Sequence, residues 1–305
     1  MIITRLTVYA AALLSAHIAI SGQTAEPVAA RQSPGQAAPA KANPHAAVTA
    51  DTKDAECVEC HKDVTAKPEL HAPAAAESCL ECHVAPPAGK PGPMSLAKGA
   101  TKDNTAPLCT SCHEAVGQRL KEAQVHGPVA SGDCISCHDA HGSDFPLFLA
   151  ASRKDSCLMC HDTVSAALGE KMPHAPAAQG CGICHDPHGS ANPAQLRAAG
   201  NALCSACHVG SPAPAAAGSA PALFGRDLPE AERKLVSDAG RIALDAMGRR
   251  GHPNMEHPVA GVPDPNDKTR MLSCVSCHQP HGAAGKPLLQ FGLTSTMELC
   301  LKCHK

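Results

Sequence analysis

Large aromatic side chains are almost missing from this sequence: 305 residues hold no Trp, one Tyr and four Phe, 2% in all. Such residues bury the most area per side chain, so the chain has little with which to fill the interior of an ordinary enzyme domain. The 44% apolar content does not make up the deficit, because Ala swells it and buried Ala contributes little hydrophobic stabilisation. Net charge is nearly absent too. Lys plus Arg number 26 against 28 Asp plus Glu, giving −2, without the clustered basic excess of a nucleic-acid binder. Pro (27) and Gly (24) are plentiful but short of the level that marks wholly disordered low-complexity chains.

Long apolar runs are also lacking, with one exception at the start. Met1 to Arg5 carry a positive charge, and Leu6 to Ile20 are apolar except at Thr7, Ser15 and His17. That run is shorter than the roughly 20 residues of a membrane span, and an export signal fits it better than an uncleaved anchor. Residues 1–22 are therefore expected to be a signal peptide cleaved near Gly22, taking Tyr9 with it. No Cys lies nearby to accept a lipid. The expectation is a mature chain without a membrane span, in a periplasm or outside the cell.

What is abundant is Cys (18) and His (19). Every Cys falls in the pattern Cys-x-x-Cys-His: Cys57/Cys60, Cys79/Cys82, Cys109/Cys112, Cys134/Cys137, Cys157/Cys160, Cys181/Cys184, Cys204/Cys207, Cys274/Cys277 and Cys300/Cys303. The His that follows each pair is His61, His83, His113, His138, His161, His185, His208, His278 or His304. This is the signature of covalent c-type haem attachment, in which two thioethers hold the porphyrin and the adjacent His reaches the iron. A disulfide scaffold or zinc sites would use the cysteines but give no reason for the His. Nine covalently attached haem c groups, with their iron, are expected to form the core.

His17 leaves with the signal, so nine further His remain, one per haem: His45, His71, His126, His141, His174, His188, His252, His257 and His281. They are the candidate distal ligands. His71, His126 and His174 stand seven or eight residues before Cys79, Cys134 and Cys181, in the strings HAPAA, HGPVA and HAPAA, and HPVAG at His257 looks like a displaced fourth copy. His141, His188 and His281 follow a proximal His by three residues and precede Gly. Residues one helical turn apart point the same way, whereas the axial positions of one iron lie on opposite faces. These three must therefore serve a haem other than the one attached beside them. His45 and His252 belong to no clear repeat. Met94, Met172, Met255, Met271 and Met297 are the competing ligands.

Alternate motifs recur at 52, 48 and 47 residues and then, from Cys204 to Cys300, at 96. A two-haem unit repeated along the chain is the kind of period that signals an array. The expected fold is mostly irregular with short α-helices, wrapped around a chain of nine haems. The expected domains are a signal peptide (1–22), an Ala/Pro/Gln-rich linker (23–50), an array with seven haem sites (51–208), a linker with an inserted amphipathic helix over about 228–247 (209–251), and a C-terminal module with two sites (252–305). Short helices and loops are all that the Pro-punctuated intervals are expected to allow.

The strings CISCHDAHGS and CGICHDPHGS, each preceded by His-x-Pro and followed by another Cys-x-x-Cys-His, resemble the doubled-CXXCH multihaem cytochromes c. The likeness runs over about 45–208 and 252–305. It implies electron transfer in a respiratory chain, towards extracellular metal or another terminal acceptor. Some similar proteins are periplasmic decahaem conduits plugging an outer-membrane porin, and others are extracellular multihaem wires. The chain departs from the decahaem pattern in having nine motifs, and Pro86 stands where the second motif should carry its His. A change of direction or of ligand source is expected there.

A carrier follows from density as well. About 31 mature residues per haem are too few to insulate the porphyrins, and two His per iron leave no place for substrate. With the signal removed and 18 propionates added, the oxidised protein would approach a charge of about −12, which favours redox partners with basic docking patches. Other multihaem cytochromes or a porin are further expected partners, and nucleic acid is not. The competing reading is a multihaem oxidoreductase acting on a small nitrogen or sulfur oxyanion. Nitrite reductases of similar haem density use a Cys-x-x-Cys-Lys site, and hydroxylamine-oxidising relatives use a Tyr. The mature chain has neither.

Overall fold

No described helix exceeds nine residues, and no described strand exceeds two. The computed structural model describes residues 48, 51–87, 93–210 and 222–304. The expected signal peptide, nearly all of the first linker and most of the Pro/Ala-rich stretch at 211–222 lie outside the described residues. Among the described residues, no helix is long and apolar enough to cross a membrane.

Three successive repeats share one plan. A two-residue strand (Glu69–Leu70, Gln124–Val125 or Met172–Pro173) leads into a His that caps a short helix (Ala72–Ala75, Gly127–Ala130 or Ala175–Gln179). Each helix has Pro in its first turn, where the missing N–H costs nothing and the fixed φ favours helix. The even-numbered motif follows in a single 3₁₀ turn, at Cys79–Glu81, Cys134–Ser136 and Cys181–Ile183. The chain then returns so that the motif's His bridges a Leu, pairing His83 with Leu96, His138 with Leu149 and His185 with Leu196. The odd-numbered motif ends or follows the next short helix, as in Ala106–Cys109, Asp155–Leu158 and Gly200–His208.

Two-residue strands are the feature that the sequence reading does not anticipate. The five antiparallel pairs are too short to show a period-two pattern. Three of them link separate repeats: Glu69–Leu70 with Gly142–Ser143, Gln124–Val125 with Gly189–Ser190, and Met172–Pro173 with Gly282–Ala283. The second partner in each case starts with the Gly of the His-Gly dipeptide. A Cβ on Gly142 would collide with the Glu69 carbonyl, and one on Gly189 would lie 2.8 Å from that of Arg119. At φ of +151° and +150°, only Gly fits both the backbone and the close approach.

The inserted helix is shorter than its periodicity predicts. It spans Glu230–Asp238, not 228–247. Beyond it the chain is drawn to the seventh motif, where the Ile242 N–H donates to the His208 carbonyl (2.8 Å) and Arg241 bonds to the carbonyls of Cys207 and Val236. Tertiary hydrogen bonds thus override an apolar pattern that would have continued the helix. Asn201 adds a second tie, accepting from Cys274 N–H and donating to the Val259 carbonyl, each at 2.8 Å. The apolar core is sparse: among the described residues only Ala100, Ile183, Leu228, Leu272, Ala283 and Leu289 are buried hydrophobics.

Candidate haem-iron sites

Eight of the nine Cys-x-x-Cys-His imidazoles face a second imidazole. In six pairs the ring planes lie within 13–24° of each other: His71–His113, His83–His141, His126–His161, His138–His188, His174–His208 and His185–His281. His252–His278 is tilted at 33°, and His257–His304 is nearly edge-on at 67°. All eight have ring centres 5.9–6.3 Å apart. Two imidazoles on opposite faces of one metal ion, each with a bond of about 2.0 Å and roughly 1.1 Å from nitrogen to ring centre, stand about 6.2 Å apart. The residues present fit six-coordinate haem iron. Facing these eight rings stand His, and none of the candidate methionines. His61 belongs to the described residues, but its expected counterpart His45 lies outside them.

The pairing obeys a rule. A His that precedes an even motif faces the ring of the next odd one: His71 faces the third motif, His126 the fifth, His174 the seventh and His257 the ninth. A His that follows an even motif by three residues faces the preceding even one, so that the fourth motif's His141 meets His83, the sixth's His188 meets His138 and the eighth's His281 meets His185. The inter-repeat strand pairs produce this exchange. His71 N–H donates to the His141 carbonyl and His174 N–H to that of His281, both at 3.0 Å, so the two exchanged imidazoles leave from one end of one strand pair.

The same rule accounts for Pro86. A His there would face an even motif before the second, and none exists. The expected change of ligand source does not occur, because His83 faces His141 just as other even motifs are faced. The eighth motif departs from the rule, since its His278 is faced by His252, from the segment following the insertion.

Backbone carbonyls hold the rings. His71 Nδ1 donates to Ala140 O and His174 Nδ1 to Pro280 O, both at 2.9 Å, and His126 bonds likewise to Pro187. On the proximal side, His138 donates to Leu147 O (2.9 Å), His185 to Ala194 O (2.7 Å), His278 to Pro287 O (2.8 Å) and His208 to Gly240 O (2.7 Å). A carbonyl can only accept, so each Nδ1 carries the proton and each Nε2 keeps its lone pair for a metal. Burial lowers the pKa of His126, His174, His188, His252 and His281, favouring the neutral form that ligation requires.

Several of these groups escape sequence reasoning. Leu147 and Ala194 turn their carbonyls to the proximal His from left-handed backbone, at φ of 64° and 54°, a conformation that costs non-Gly residues about 1–3 kcal/mol. The signal was available as PLFL at 146–149 and PAQL at 193–196, eight residues after each proximal His. Asp139 and Asp186 accept from the N–H of His141 (2.9 Å) and His188 (3.2 Å). Asp186 also meets Arg119 Nε at 3.4 Å and Arg197 at 3.3 Å, linking two repeats.

The cysteines establish the order of the sites. Cys57 lies beside Cys79, Cys109 beside Cys134, Cys157 beside Cys181 and Cys204 beside Cys274. Between these couples, Cys82 lies near Cys112, Cys137 near Cys157, Cys184 near Cys207 and Cys277 near Cys303. Consecutive motifs are therefore spatial neighbours from the first to the ninth.

The chain covers the paired cysteines unequally. Cys60, Cys112, Cys160, Cys300 and Cys303 are exposed, and all five belong to odd-numbered motifs, whereas every even-motif Cys is partly covered. The cause is what the chain does next. After an even motif it folds back to bridge the proximal His to a Leu. After Cys112 and Cys160 it runs on instead into the helices Glu114–Arg119 and Asp162–Leu168, and after Cys60 into a turn, so nothing returns over the second Cys. The seventh motif is the covered odd one, because Gly240, Arg241 and Ile242 bond to His208 and Cys207. Protein chain thus leaves Cys60, Cys112 and Cys160 uncovered.

A family model described as the doubled CXXCH motif matches residues 71–118, 126–166, 174–212 and 268–305, together more than half of the chain. The first three matches begin at His71, His126 and His174, so each contains one repeat as defined above. No curated protein matches the chain.

Proposed function

The chain belongs to the doubled-CXXCH family of multihaem c-type cytochromes, and from that premise we propose that it is a nonahaem electron carrier of an exported respiratory chain. The terminal acceptor in this reading is extracellular metal or another acceptor beyond the cell's inner membrane. The observation that carries it is the facing of eight proximal imidazoles by a second imidazole at 5.9–6.3 Å. Haem bound there supplies one-electron iron chemistry in a six-coordinate form that changes little between oxidation states. The protein's own part is to aim the imidazoles, through Nδ1–carbonyl bonds that leave Nε2 free for a metal, and to bring successive attachment sites together in chain order.

The proximity of the thiols of consecutive motifs supports a continuous path running from Cys57–His61 to Cys300–His304. With an overall charge near −12, partners would present basic docking patches, and transfer rates are expected to fall as salt rises. Rates that ignore ionic strength in stopped-flow mixing would contradict this part of the reading. The whole proposal is tested by the absorbance spectrum of the dithionite-reduced holoprotein before and after carbon monoxide. A haem c spectrum that carbon monoxide leaves unchanged is expected. A stoichiometric shift would reveal an open iron and place the protein among the oxidoreductases.

A further inference from the structure

Among the eight described ring pairs, that of the ninth site differs in one measurable way. Its ring planes cross at 67°, against 13–24° in six pairs and 33° in the eighth. The cause lies in what holds the distal ring. His71, His126 and His174 are oriented by a carbonyl of the following repeat. Among the described residues His257 has no such inter-repeat carbonyl partner. It instead donates its Nδ1 proton to the carbonyl of Pro258, its own neighbour, at 2.8 Å. Its backbone is fixed by Asn254, whose Oδ1 accepts from His257 N–H at 3.0 Å, and by the bond from Val259 N–H to the Arg249 carbonyl at 2.7 Å. The loop after the insertion, not a neighbouring repeat, orients this imidazole.

Ring orientation is an electronic variable for a low-spin ferric iron. Parallel imidazoles donate into the same iron dπ orbital, which splits the dπ pair and stabilises the ferric state. Crossed imidazoles donate into one orbital each, leaving the pair nearly degenerate. The consequences are a large anisotropy of the g tensor and a more positive potential, the hydrogen bonding of the ligand ring being one of the protein's means of adjusting haem. The ninth site is also the last in the spatial order. Both of its cysteines, Cys300 and Cys303, are exposed, where the first, third and fifth motifs expose only the second Cys. Met297 and Leu301 are exposed beside them.

We propose that the site formed by Cys300, Cys303, His304 and His257 is the most oxidising of the array and the end at which electrons collect for delivery. The proposal rests on the reading that each ring pair ligates a haem iron. Its test is electron paramagnetic resonance of the oxidised holoprotein, followed through stepwise reduction at controlled potential. One strongly anisotropic low-spin signal, amounting to one haem of nine, should be present and should vanish before the rest. His257→Met replaces one crossed ring with another ligand and should remove that signal alone, and His257→Ala should do the same. Nine capped low-spin haems without such a signal would overturn this proposal and leave the carrier reading intact, as would a signal that outlasts the others on reduction. Absence of covalent haem would overturn both.

Discussion

Along residues 69–208 each second imidazole is handed from one repeat to its neighbour, whereas in residues 222–304 a segment outside the repeat rule provides His252 for the eighth motif, and the ring of His257 is oriented by its own loop. The first region is regular: its ring planes agree within 13–24°, and one carbonyl position, that of Ala140, Pro187 or Pro280, orients each His that precedes an even motif. The second is assembled by different means, and its planes open to 33° and then 67°. The difference teaches what a ligand-exchanging repeat requires. A repeat that caps its neighbour leaves the array unfinished at its ends, as terminal repeats of other arrays need special caps. No even motif precedes the second in this sequence, so Pro86 suffices. Near the other end an insertion brings in the missing ring.

Removing a ligand should break the comparison most severely. His281→Ala is expected to open the iron attached at Cys181 and Cys184, because His281 faces His185, and not the iron attached beside His281 itself. The reduced variant should take up one carbon monoxide per chain. The double variant His252→Ala/His281→Ala should take up two, since His252 faces His278. A double variant that binds only one would mean that both His serve the same haem, which the exchange rule forbids.

A smaller effect is expected from Gly142→Ala. The added Cβ meets the Glu69 carbonyl in left-handed backbone, and forcing that conformation on a non-Gly residue costs about 1–3 kcal/mol before any collision is counted. Thermal unfolding of the holoprotein should shift down accordingly. Because the strand pair positions both His71 and His141, their two sites should lose spectral uniformity together. An unshifted melt would show that the strand pair does not hold the repeats.

The smallest effect sharpens the account. Pro86→His restores the motif's expected residue, yet no earlier even motif exists for it to face, so spectra, potentials and melting temperature should stay as they are. A changed potential would mean that a first-motif haem lies within reach of position 86.

Much of this site was legible in the sequence, because covalent haem attachment writes itself as Cys-x-x-Cys-His and its partners as His-x-Pro and His-x-x-His-Gly. The one-turn argument expects His141, His188 and His281 to serve haems other than those attached beside them, and the structure places their rings opposite His83, His138 and His185. Which motif each would face was not legible. That assignment depends on strands of two residues joined across distances such as Leu70 to Gly142, too short to leave a periodic trace. Nor could nine similar motifs reveal that the chain leaves Cys60, Cys112 and Cys160 exposed, since that depends on where the following chain goes. The helix over 228–247 was overextended because periodicity reports an apolar face and not the bond from Ile242 to His208 that ends it. Pro86 read as an irregularity until the direction of exchange was known.

The central claim is that every iron is capped by an imidazole from outside the motif that attaches it. Anomalous diffraction at the iron absorption edge from crystals of the holoprotein tests it most directly. The account predicts nine iron peaks, eight of them midway between the ring pairs His71–His113, His83–His141, His126–His161, His138–His188, His174–His208, His185–His281, His252–His278 and His257–His304. Fewer peaks, or an iron bound between a proximal His and a methionine or solvent, would contradict it.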